Sequence, residues 1–356
     1  MDNQTIERVK ISLANPEIGP ETVALMLSKA CNLRCLYCRG GKLILADSSE
    51  ELTTKDLFDM FRDARDFKVK DINLGGFLGE PFCRKDIIAI IQEIKRLGLS
   101  GTMTTNGSFL NSEVAKIMTD CAWDIIRISL DSADATIQHL IRPAANQKPY
   151  FHNIVEFLDT LKKTGSRVRV ILNVVISKFN FKGLAALVEF ANSYKNICSI
   201  DLLKLMSRGL VYYGDLQLNK DEIREFKSIL FSLKNNKKLK CQDDWGEFRN
   251  NERFKTSNQE KMESCFVNYY ILSIDSNGGI MKCPQYQLNV PGLNLKNSSL
   301  KTLWRNELLQ FRQSLLEKAP CYRECCSILK EENKLILDCL SREKKERKCR
   351  DAVNNT

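Results

Sequence analysis

The stretch Ala30-Cys31-Asn32-Leu33-Arg34-Cys35-Leu36-Tyr37-Cys38 follows the apolar run Thr22–Leu27 and carries three cysteines with the spacing C-x3-C-x2-C. Three thiolates on so short a loop can bind three irons of a 4Fe–4S cube, whose usual complement is four cysteines. The fourth iron is then left without a protein ligand and is open to an exogenous molecule. The spacing therefore predicts a cluster that takes part in chemistry, not one that only carries electrons.

Two other uses of these cysteines have to be weighed, a structural zinc site and disulfide bonds. Zinc needs four ligands and usually takes pairs spaced C-x2–4-C. The chain begins MDNQTIERVK, which has acidic residues and lacks the apolar core of a signal peptide. We therefore expect the 14 cysteines to lie in the reducing cytoplasm, where clustered thiols bind metal more often than they pair. The stretch favours an iron–sulfur cluster over both alternatives.

The composition indicates a soluble globular protein with room for one large domain and a smaller appendage. Of its 356 residues, 43% are apolar and 28% are charged, and no apolar run approaches a membrane span. Much of the net charge of +10 lies in Lys234–Lys240 and in the tail Ser341–Arg350. Because no aromatic residues are interleaved there for base stacking, nucleic acid is not an expected partner.

Six apolar segments with the pattern of buried strands alternate with helical segments. The predicted strands are Thr22–Leu27, Asp71–Leu74, Gly101–Thr105, Asp124–Leu130, Val168–Ile176 and Ser199–Met206. The helices are predicted behind a cap at Thr53 and over Asp86–Leu97, Ser112–Cys121, Tyr150–Thr164, Gly183–Tyr194 and Lys220–Leu233. This alternation predicts an α/β fold built from parallel βαβ units, a partial (β/α)6 TIM-type barrel.

Polar motifs follow the first four predicted strands, where the chemistry of such folds gathers. The cysteine loop follows the first strand, Gly79-Glu80-Pro81 the second, Asn106 the third, and Ser129 and Asp131 the fourth. Glycine lets a backbone approach a ligand closely, and a carboxylate is a natural partner for an ammonium group. Taken singly, Asn106 and the Gly-Glu-Pro stretch could equally be turn residues. The prediction that they belong to a functional site therefore rests on their position, directly after predicted strands.

The cysteine stretch resembles the signature of radical S-adenosylmethionine (SAM) enzymes, including the aromatic Tyr37 before the third cysteine. In that family the open iron chelates the amino and carboxylate groups of SAM, and reduction of the cluster yields a 5′-deoxyadenosyl radical that abstracts hydrogen from a substrate. The resemblance implies that Cys31, Cys35 and Cys38 bind the cluster and that Tyr37 lies at the SAM site.

The same resemblance assigns SAM contacts to the polar motifs. Gly79 and Glu80 would meet the SAM amino group, although three residues separate them from the glycine pair Gly75-Gly76 that usually adjoins them. Arg142, reached from Asp131 by a spacing similar to that of the sulfatase- and peptide-maturase branch, would pair with the SAM carboxylate. The implied cofactor-binding residues are Tyr37, Gly79, Glu80, Asn106, Ser129, Asp131 and Arg142.

The pattern Cys265-x12-Gly278-x4-Cys283 spans a predicted hairpin and resembles the opening of the SPASM or Twitch auxiliary-cluster domains. With Cys321 and either Cys325 or Cys326 these cysteines would complete one auxiliary 4Fe–4S cluster. The following cysteines depart from the full SPASM spacing, so we expect one auxiliary cluster; a second one and a structural zinc site stay open alternatives.

Together these features predict a lead-in at residues 1–20, a core barrel at 21–215, a connector at 216–260, an auxiliary domain at 261–330 and a charged tail at 331–356. The expected function is that of a cytoplasmic radical SAM enzyme acting on a small molecule, sugar- or nucleoside-derived. A reductant such as flavodoxin or ferredoxin would supply electrons. A peptide or protein maturase is the first alternative, and a non-catalytic iron–sulfur or zinc protein is the second. A molybdenum-cofactor cyclase is less favoured because the chain ends Asn354-Asn355-Thr356 without the paired glycines of that family.

Overall fold

The computed structural model describes residues 3–15, 17–38, 49–75, 78–144, 146, 149–205, 213–241, 264–284, 286–317 and 332–342. Within them lie the strands β1 (Thr22–Leu25), β2 (Asp71–Leu74), β3 (Ser100–Thr105), β4 (Ile125–Ser129), β5 (Arg169–Ile176), β6 (Ile197–Lys204), β7 (Leu239–Cys241), β8 (Ile271–Ile274), β9 (Gly279–Cys283) and β10 (Tyr286–Asn294).

These strands form a single open sheet in the order β10-β9-β8-β1-β2-β3-β4-β5-β6-β7. Strands β1 to β7 run parallel in chain order, and β8 lies parallel to β1 on its other side, so that Leu25 pairs with both Leu74 and Ile274. Strands β9 and β10 add to β8 in antiparallel fashion. The carboxyl ends of β1 to β6 therefore share one edge of the sheet.

Helices cover one face of the sheet. Their bounds are α1 (Asn3–Ala14), α2 (Thr54–Asp66), α3 (Ile87–Arg96), α4 (Ser112–Asp120), α5 (Ala135–Ile141), α6 (Phe151–Lys163), α7 (Leu184–Asn192), α8 (Tyr213–Leu216), α9 (Lys220–Ser232), α10 (Leu300–Thr302), a π-helical segment (Leu303–Glu307), α11 (Leu309–Glu317) and α12 (residues 332–342). None of the helices in the described ranges is both long enough and apolar enough to traverse a lipid bilayer.

The main core lies between this helical layer and the sheet. Alternate residues of β1 and β2 are fully buried, and Leu25 and Ile72 belong to the same apolar cluster as Phe61 of α2 and Ile91 of α3. The opposite face of each strand carries the intervening residues, many of them polar. Successive side chains of a β-strand point to opposite faces of the sheet, so one face packs on the helices and the other is available to bind a ligand.

The predicted α/β fold with a parallel core is confirmed, and the six predicted strands coincide with β1 to β6 within a few residues. The predicted cap is Thr53, which forms a capping box with Asp56 at the start of α2. The predicted helix Lys220–Leu233 corresponds to α9. The structure adds three features that the sequence did not predict: α1 within residues 1–20, the short strand β7 beside β6, and the joining of the C-terminal hairpin to the parallel sheet through β8.

Candidate functional site

The cysteine loop leaves the carboxyl end of β1 and is fastened to the segment that ends α5. Leu33 bridges to Ala144, the Arg34 amide donates to the Pro143 carbonyl at 2.8 Å, and the Leu36 amide donates to Ile141 at 2.9 Å. Cys31, Cys35 and Cys38 form no disulfide within the described residues, and each is partly buried. These contacts hold the loop in one conformation and therefore fix the positions from which its three thiols can bind a ligand.

Asn106 lies beside the first cysteine. Its amide Nδ2 is 3.8 Å from Cys31 Sγ and 3.0 Å from Asn32 Oδ1, and its own amide oxygen accepts from the Ser108 hydroxyl at 2.6 Å. The Leu33 backbone N–H also points at Cys31 Sγ, at 3.5 Å. Two N–H donors thus face one sulfur, and such donors stabilise a thiolate. Asn106, which follows β3, thus lies beside the cysteine loop.

Arg142 lies beside the second cysteine, with Nη1 at 3.9 Å from Cys35 Sγ. Its Nε donates to Asp131 Oδ2 at 2.7 Å, and its Nη2 lies 3.3 Å from Asp131 Oδ1. The Tyr37 hydroxyl donates to the same carboxylate, and the guanidinium carbon lies 5.1 Å from the centre of the Tyr37 ring. Three of the predicted site residues, Tyr37, Asp131 and Arg142, therefore form one buried network around a cysteine sulfur.

The electrostatics of this network suit an anionic ligand. Burial raises the pKa of the Cys35 thiol to about 12, and the Arg142 charge opposes that shift. For Arg142, burial is the largest effect and lowers the pKa, but Asp131, Tyr37 and Cys35 together outweigh burial and hold the pKa well above its ordinary value. Burial also raises the pKa of Cys31. Buried thiols of this kind lose their protons when metal binds, and a fixed cation and amide donors then face the thiolates. The donor set fits an iron–sulfur cluster.

Within the described residues, no three His, Cys, Asp or Glu side chains are gathered as they would be around one metal ion. Each thiolate of a 4Fe–4S cube binds a different iron, so its cysteines sit farther apart than the ligands of a single zinc ion.

Glu80 has a different environment from the one expected of a partner for the SAM ammonium group. Its carboxylate is buried and accepts from the Asn106 amide and the Thr105 hydroxyl, both at 2.7 Å, and from the Phe82 amide at 3.2 Å. Burial raises its pKa to about 7 in spite of these donors. The carboxylate therefore ties the end of β3 to the loop after β2, and any SAM contact of this loop would come from its backbone.

Gly79 fits the same loop because only glycine can occupy its position. Its φ is +78°, and an added Cβ would lie 1.8 Å from the Ser28 carbonyl oxygen. The neighbouring Glu80 amide donates to the Ala30 carbonyl at 2.8 Å, one residue before Cys31. The close approach of these two segments places the loop after β2 directly against the cysteine loop.

Ser129 and Asn173 are paired in register on β4 and β5, and both are half-buried. Neither side chain has a hydrogen-bond partner among the described residues, so both are available to a ligand. Sequence reasoning identified Ser129 but missed Asn173, although a polar residue inside the β-branched run of β5 was a usable signal. By contrast, the carboxylate of Asp131, predicted with Ser129, is occupied by Arg142, Tyr37 and the Val175 amide.

The face of the sheet that the helices leave uncovered is polar beyond these residues. Arg127 of β4 pairs with Asp201 of β6 at 3.1 Å. Asn73 Oδ1 on β2 and Ser273 Oγ on β8 are buried and have no hydrogen-bond partner in the part of the chain that the structure describes, and both strands adjoin β1 at Ala24. Buried polar atoms without partners are costly, and functional sites are where they are tolerated.

Two of the predicted auxiliary-cluster cysteines meet in a second, smaller core. Cys265 and Cys283 are 6% and 8% exposed and share an apolar cluster with Val9 of α1 and Leu315 of α11. Asn268 Nδ2 donates to the Lys282 carbonyl at 2.8 Å, which fastens the segment after Cys265 to β9 beside Cys283. The structure thus brings these two thiols into one region. Cys321, Cys325 and Cys326 lie outside the described residues.

The family model described as Radical SAM superfamily matches residues 25–191. These residues form a radical SAM domain. They contain the cysteine loop and run from β1 into α7, so the predicted family of this domain is confirmed.

Curated relatives of this radical SAM domain include a probable GTP 3′,8-cyclase of Sulfolobus acidocaldarius, 31% identical over 197 residues (53% of this chain, 58% of the relative). The GTP 3′,8-cyclase of Campylobacter fetus is 31% identical over 212 residues (58% of this chain, 62% of the relative). The chain thus spans less than two thirds of either relative.

Two solved structures resemble nearly the whole chain in fold. SuiB of Streptococcus suis, bound to S-adenosylmethionine, is 18% identical with a TM-score of 0.66, covering 92% of this chain and 79% of that one. The structure titled native anSMEcpe with bound AdoMet is 14% identical with a TM-score of 0.59, covering 90% and 97%. At these identities the likeness concerns the fold alone.

Proposed function

We propose that this chain is a radical SAM enzyme in which Cys31, Cys35 and Cys38 hold a 4Fe–4S cluster and SAM binds the remaining iron. The observation that carries the proposal is the convergence of the Asn106 amide and the Arg142 guanidinium on two of the three sulfurs, at the carboxyl edge of the parallel strands. When bound, this cluster and SAM would supply a 5′-deoxyadenosyl radical for hydrogen abstraction. A cytoplasmic location belongs to the same proposal.

The residues of the chain would bind and orient SAM and the substrate and would shield them from solvent. Asp131 holds the guanidinium fork of Arg142 through Nε and Nη2, so Nη1 is the edge left to face the thiolates or the SAM carboxylate. Ser129 and Asn173 would donate to or accept from the polar groups of SAM or substrate, because neither side chain has a hydrogen-bond partner among the residues that the structure describes. The raised pKa values of Cys31 and Cys35 imply that cluster assembly displaces protons from both thiols.

The substrate we favour is a small polar molecule. The uncovered face of the sheet carries amides, hydroxyls and the Arg127–Asp201 pair, groups that recognise hydrogen-bonding ligands. The curated relatives make GTP the first compound to test. A peptide maturase stays the alternative.

We also propose one auxiliary 4Fe–4S cluster held by Cys265, Cys283, Cys321 and Cys325 (or Cys326). The Cys265 amide donates to the Leu315 carbonyl at 2.8 Å, and the Ser264 hydroxyl donates to Leu316 at 2.7 Å, so Cys265 is docked on the last turn of α11. Cys321 follows the end of that helix by four residues, a reach of at most about 14 Å. A structural zinc site at the same four cysteines is the alternative.

The test is reductive cleavage of SAM. The anaerobically reconstituted chain is mixed with SAM and titanium(III) citrate, and 5′-deoxyadenosine is measured by liquid chromatography. The Cys31→Ala/Cys35→Ala/Cys38→Ala variant is expected to form none. A matched variant, Cys121→Ala/Cys198→Ala/Cys241→Ala, removes three cysteines outside both proposed sites and is expected to stay active.

Deoxyadenosine formation by the first variant, or its absence with the wild-type chain, would refute the assignment. In the second case a non-catalytic iron–sulfur protein would be the better description. Consumption of GTP in the same mixture, with and without SAM, tests the proposed substrate class.

A further inference from the structure

The regular pairing of β4 with β5 ends just before Asp131. The last pair in register is Ser129 with Asn173, and the Leu130 amide donates to the Asn173 carbonyl at 3.1 Å. The main chain of Asp131 is bound by side-chain amides instead. The position of the Asp131 carboxylate therefore depends on the residues that supply those amides.

Gln138 of α5 binds the amino side of Asp131. Its Oε1 accepts from the Asp131 amide at 2.8 Å and from the Ser132 amide at 3.2 Å, and the residue is 1% exposed. Asn180 binds the other side, since its Nδ2 donates to the Asp131 carbonyl at 2.9 Å. The N–H and the C=O of Asp131 are thus both hydrogen-bonded to buried amide side chains.

The Gln138 side chain also connects to Arg142, the ion-pair partner of Asp131. Its Nε2 donates to the Tyr150 hydroxyl at 3.2 Å, and that hydroxyl donates to the Arg142 carbonyl at 3.1 Å. One buried side chain therefore links the main chains of both members of the ion pair. We call Gln138 and Tyr150 the clamp.

The clamp matters because the ion pair leaves one edge of the guanidinium for other contacts. Nε and Nη2 of Arg142 contact Asp131, while Nη1 lies 3.9 Å from Cys35 Sγ. A buried polar network whose members are all hydrogen-bonded restricts the conformations of the groups that it contains. Loosening either main chain would let Nη1 move away from the sulfur.

We propose that Gln138 and Tyr150 are positioning residues of the SAM site, which hold Asp131 and Arg142 so that Arg142 Nη1 faces Cys35 and the SAM carboxylate. This inference rests on the proposed function, because it assigns the supports of the proposed SAM contact. Neither residue is among the site residues predicted from the sequence, since a glutamine within a short helix has no distinguishing local pattern.

The first readout needs neither cluster nor SAM. Solvent exchange of the Arg142 Nε–H is measured by heteronuclear NMR in the apoprotein, with Arg142→Lys identifying the resonance. The variants are Tyr150→Phe, which removes one hydroxyl, and Gln138→Met, which removes the amide and keeps the side-chain length. Tyr194→Phe is the matched control, because Tyr194 is also buried and its hydroxyl donates to Asp159 at 3.1 Å, away from this network.

We expect the exchange rate to rise about tenfold in Tyr150→Phe and further in Gln138→Met, because each lost hydrogen bond lowers the cost of local opening. The second readout is the dissociation constant of SAM for the reconstituted protein. It should rise about three- to tenfold in Tyr150→Phe. Tyr194→Phe should leave both quantities unchanged.

Wild-type exchange of the Arg142 Nε–H in Tyr150→Phe would overturn the inference, even where its stability to urea is reduced, because a purely structural role does not release Arg142. An equal rise in Tyr194→Phe would overturn it as well. Should Gln138→Met not fold, Tyr150→Phe decides alone.

Faster exchange in Tyr150→Phe with an unchanged SAM dissociation constant would show that SAM binding does not depend on the clamp, and would also overturn the inference. Failure of the reconstituted wild type to bind SAM, with the expected exchange rates in the apoprotein, would instead refute the proposed function itself.

Discussion

Arg142 is held by a carboxylate on one side and faces a cysteine sulfur on the other. Two of its nitrogens contact Asp131, at 2.7 and 3.3 Å, while Nη1 points towards Cys35. A guanidinium can serve both neighbours because its donors diverge from a rigid plane, which an ammonium group cannot imitate.

For this reason Arg142→Lys is predicted to weaken SAM binding roughly tenfold, and Arg142→Ala ten- to a hundredfold. Isothermal titration of SAM into the anaerobically reconstituted protein measures the dissociation constants. Arg96→Lys is the control, since Arg96 also forms a two-pronged pair, with Glu93, but on the exposed surface. An unchanged dissociation constant in Arg142→Ala would remove this residue from the SAM site.

Asp71 gives a second prediction at this scale, through the pH dependence of stability. Burial raises its pKa from 3.8 to about 6, although the Thr102 hydroxyl donates to it at 3.1 Å. The folded state then binds one proton more than the unfolded state between these values, so the free energy of unfolding falls as pH rises through that window. The loss attributable to Asp71 is about 2–3 kcal/mol.

Urea titrations of the apoprotein from pH 4 to pH 7 test this. Asp71→Asn should remove that part of the decline, whereas Asp120→Asn, at the exposed end of α4, should preserve it. Identical pH profiles for wild type and Asp71→Asn would show that Asp71 does not titrate in this window.

Residue positions were more predictable than residue partners. Strand order was sufficient to bring the cysteine loop and Asp131 to one edge of the sheet, because the carboxyl ends of parallel strands share an edge. Tyr37 and Arg142 were assigned to the same place by the family resemblance. The partners of Glu80 depend on the register between β3 and the loop after β2, which no local pattern encodes. The Glu80 carboxylate accepts its hydrogen bonds from within the protein, and this could not be predicted from the sequence.

At the scale of elements, the segment that starts at Cys265 packs on the last turn of α11, and we propose that the auxiliary cysteines gather beside this contact. Mutation of Cys265 and Cys283 together to Ala should reduce the iron content from about eight to about four atoms per chain, with SAM cleavage still detectable. Iron analysis of the reconstituted protein measures this.

Cys339→Ala with Cys349→Ala serves as the control for the auxiliary cysteines and should leave about eight irons. About twelve irons in the wild type, falling to about eight in the control, would instead indicate a second auxiliary cluster that uses those cysteines.

Elements with a strong periodic pattern were found from sequence, and weakly patterned ones were not. The strands β1 to β6 have apolar or β-branched runs with clear turns, whereas the pattern of α1 is weak: Ile6, Val9 and Leu13 pack inward, but Ile11 is exposed and the other residues are mostly polar. Helix α1 is stabilised by packing against the second, smaller core around Cys265 and Cys283, which is a tertiary interaction that local sequence does not encode. The short β7, in a lysine-rich stretch, is likewise specified by its neighbour β6 and not by its own composition.

For the whole molecule, the position of β8 matters most, because it places the C-terminal hairpin inside the sheet that carries the radical SAM domain. Leu272 of β8 is fully buried in the main core, so Leu272→Ala should destabilise the protein by about 2–5 kcal/mol. Leu288→Ala, on the exposed edge strand, should cost less than about 0.5 kcal/mol.

Hydrogen exchange along a urea titration should show peptides of β2 and β8 losing protection at the same urea concentration, in wild type and in Leu272→Ala alike. Loss of protection in β8 well before β2 would show that the hairpin unfolds independently of the parallel sheet.

The central claim is that SAM binds one iron of a cluster held by Cys31, Cys35 and Cys38. It is tested most directly by Mössbauer spectroscopy of the Cys265→Ala/Cys283→Ala variant, reconstituted with Mössbauer-active iron so that a single cluster is observed. Addition of SAM is predicted to shift the signal of one iron in four and to leave the other three unchanged. A spectrum that SAM does not alter, or one in which all four irons respond alike, would contradict the claim.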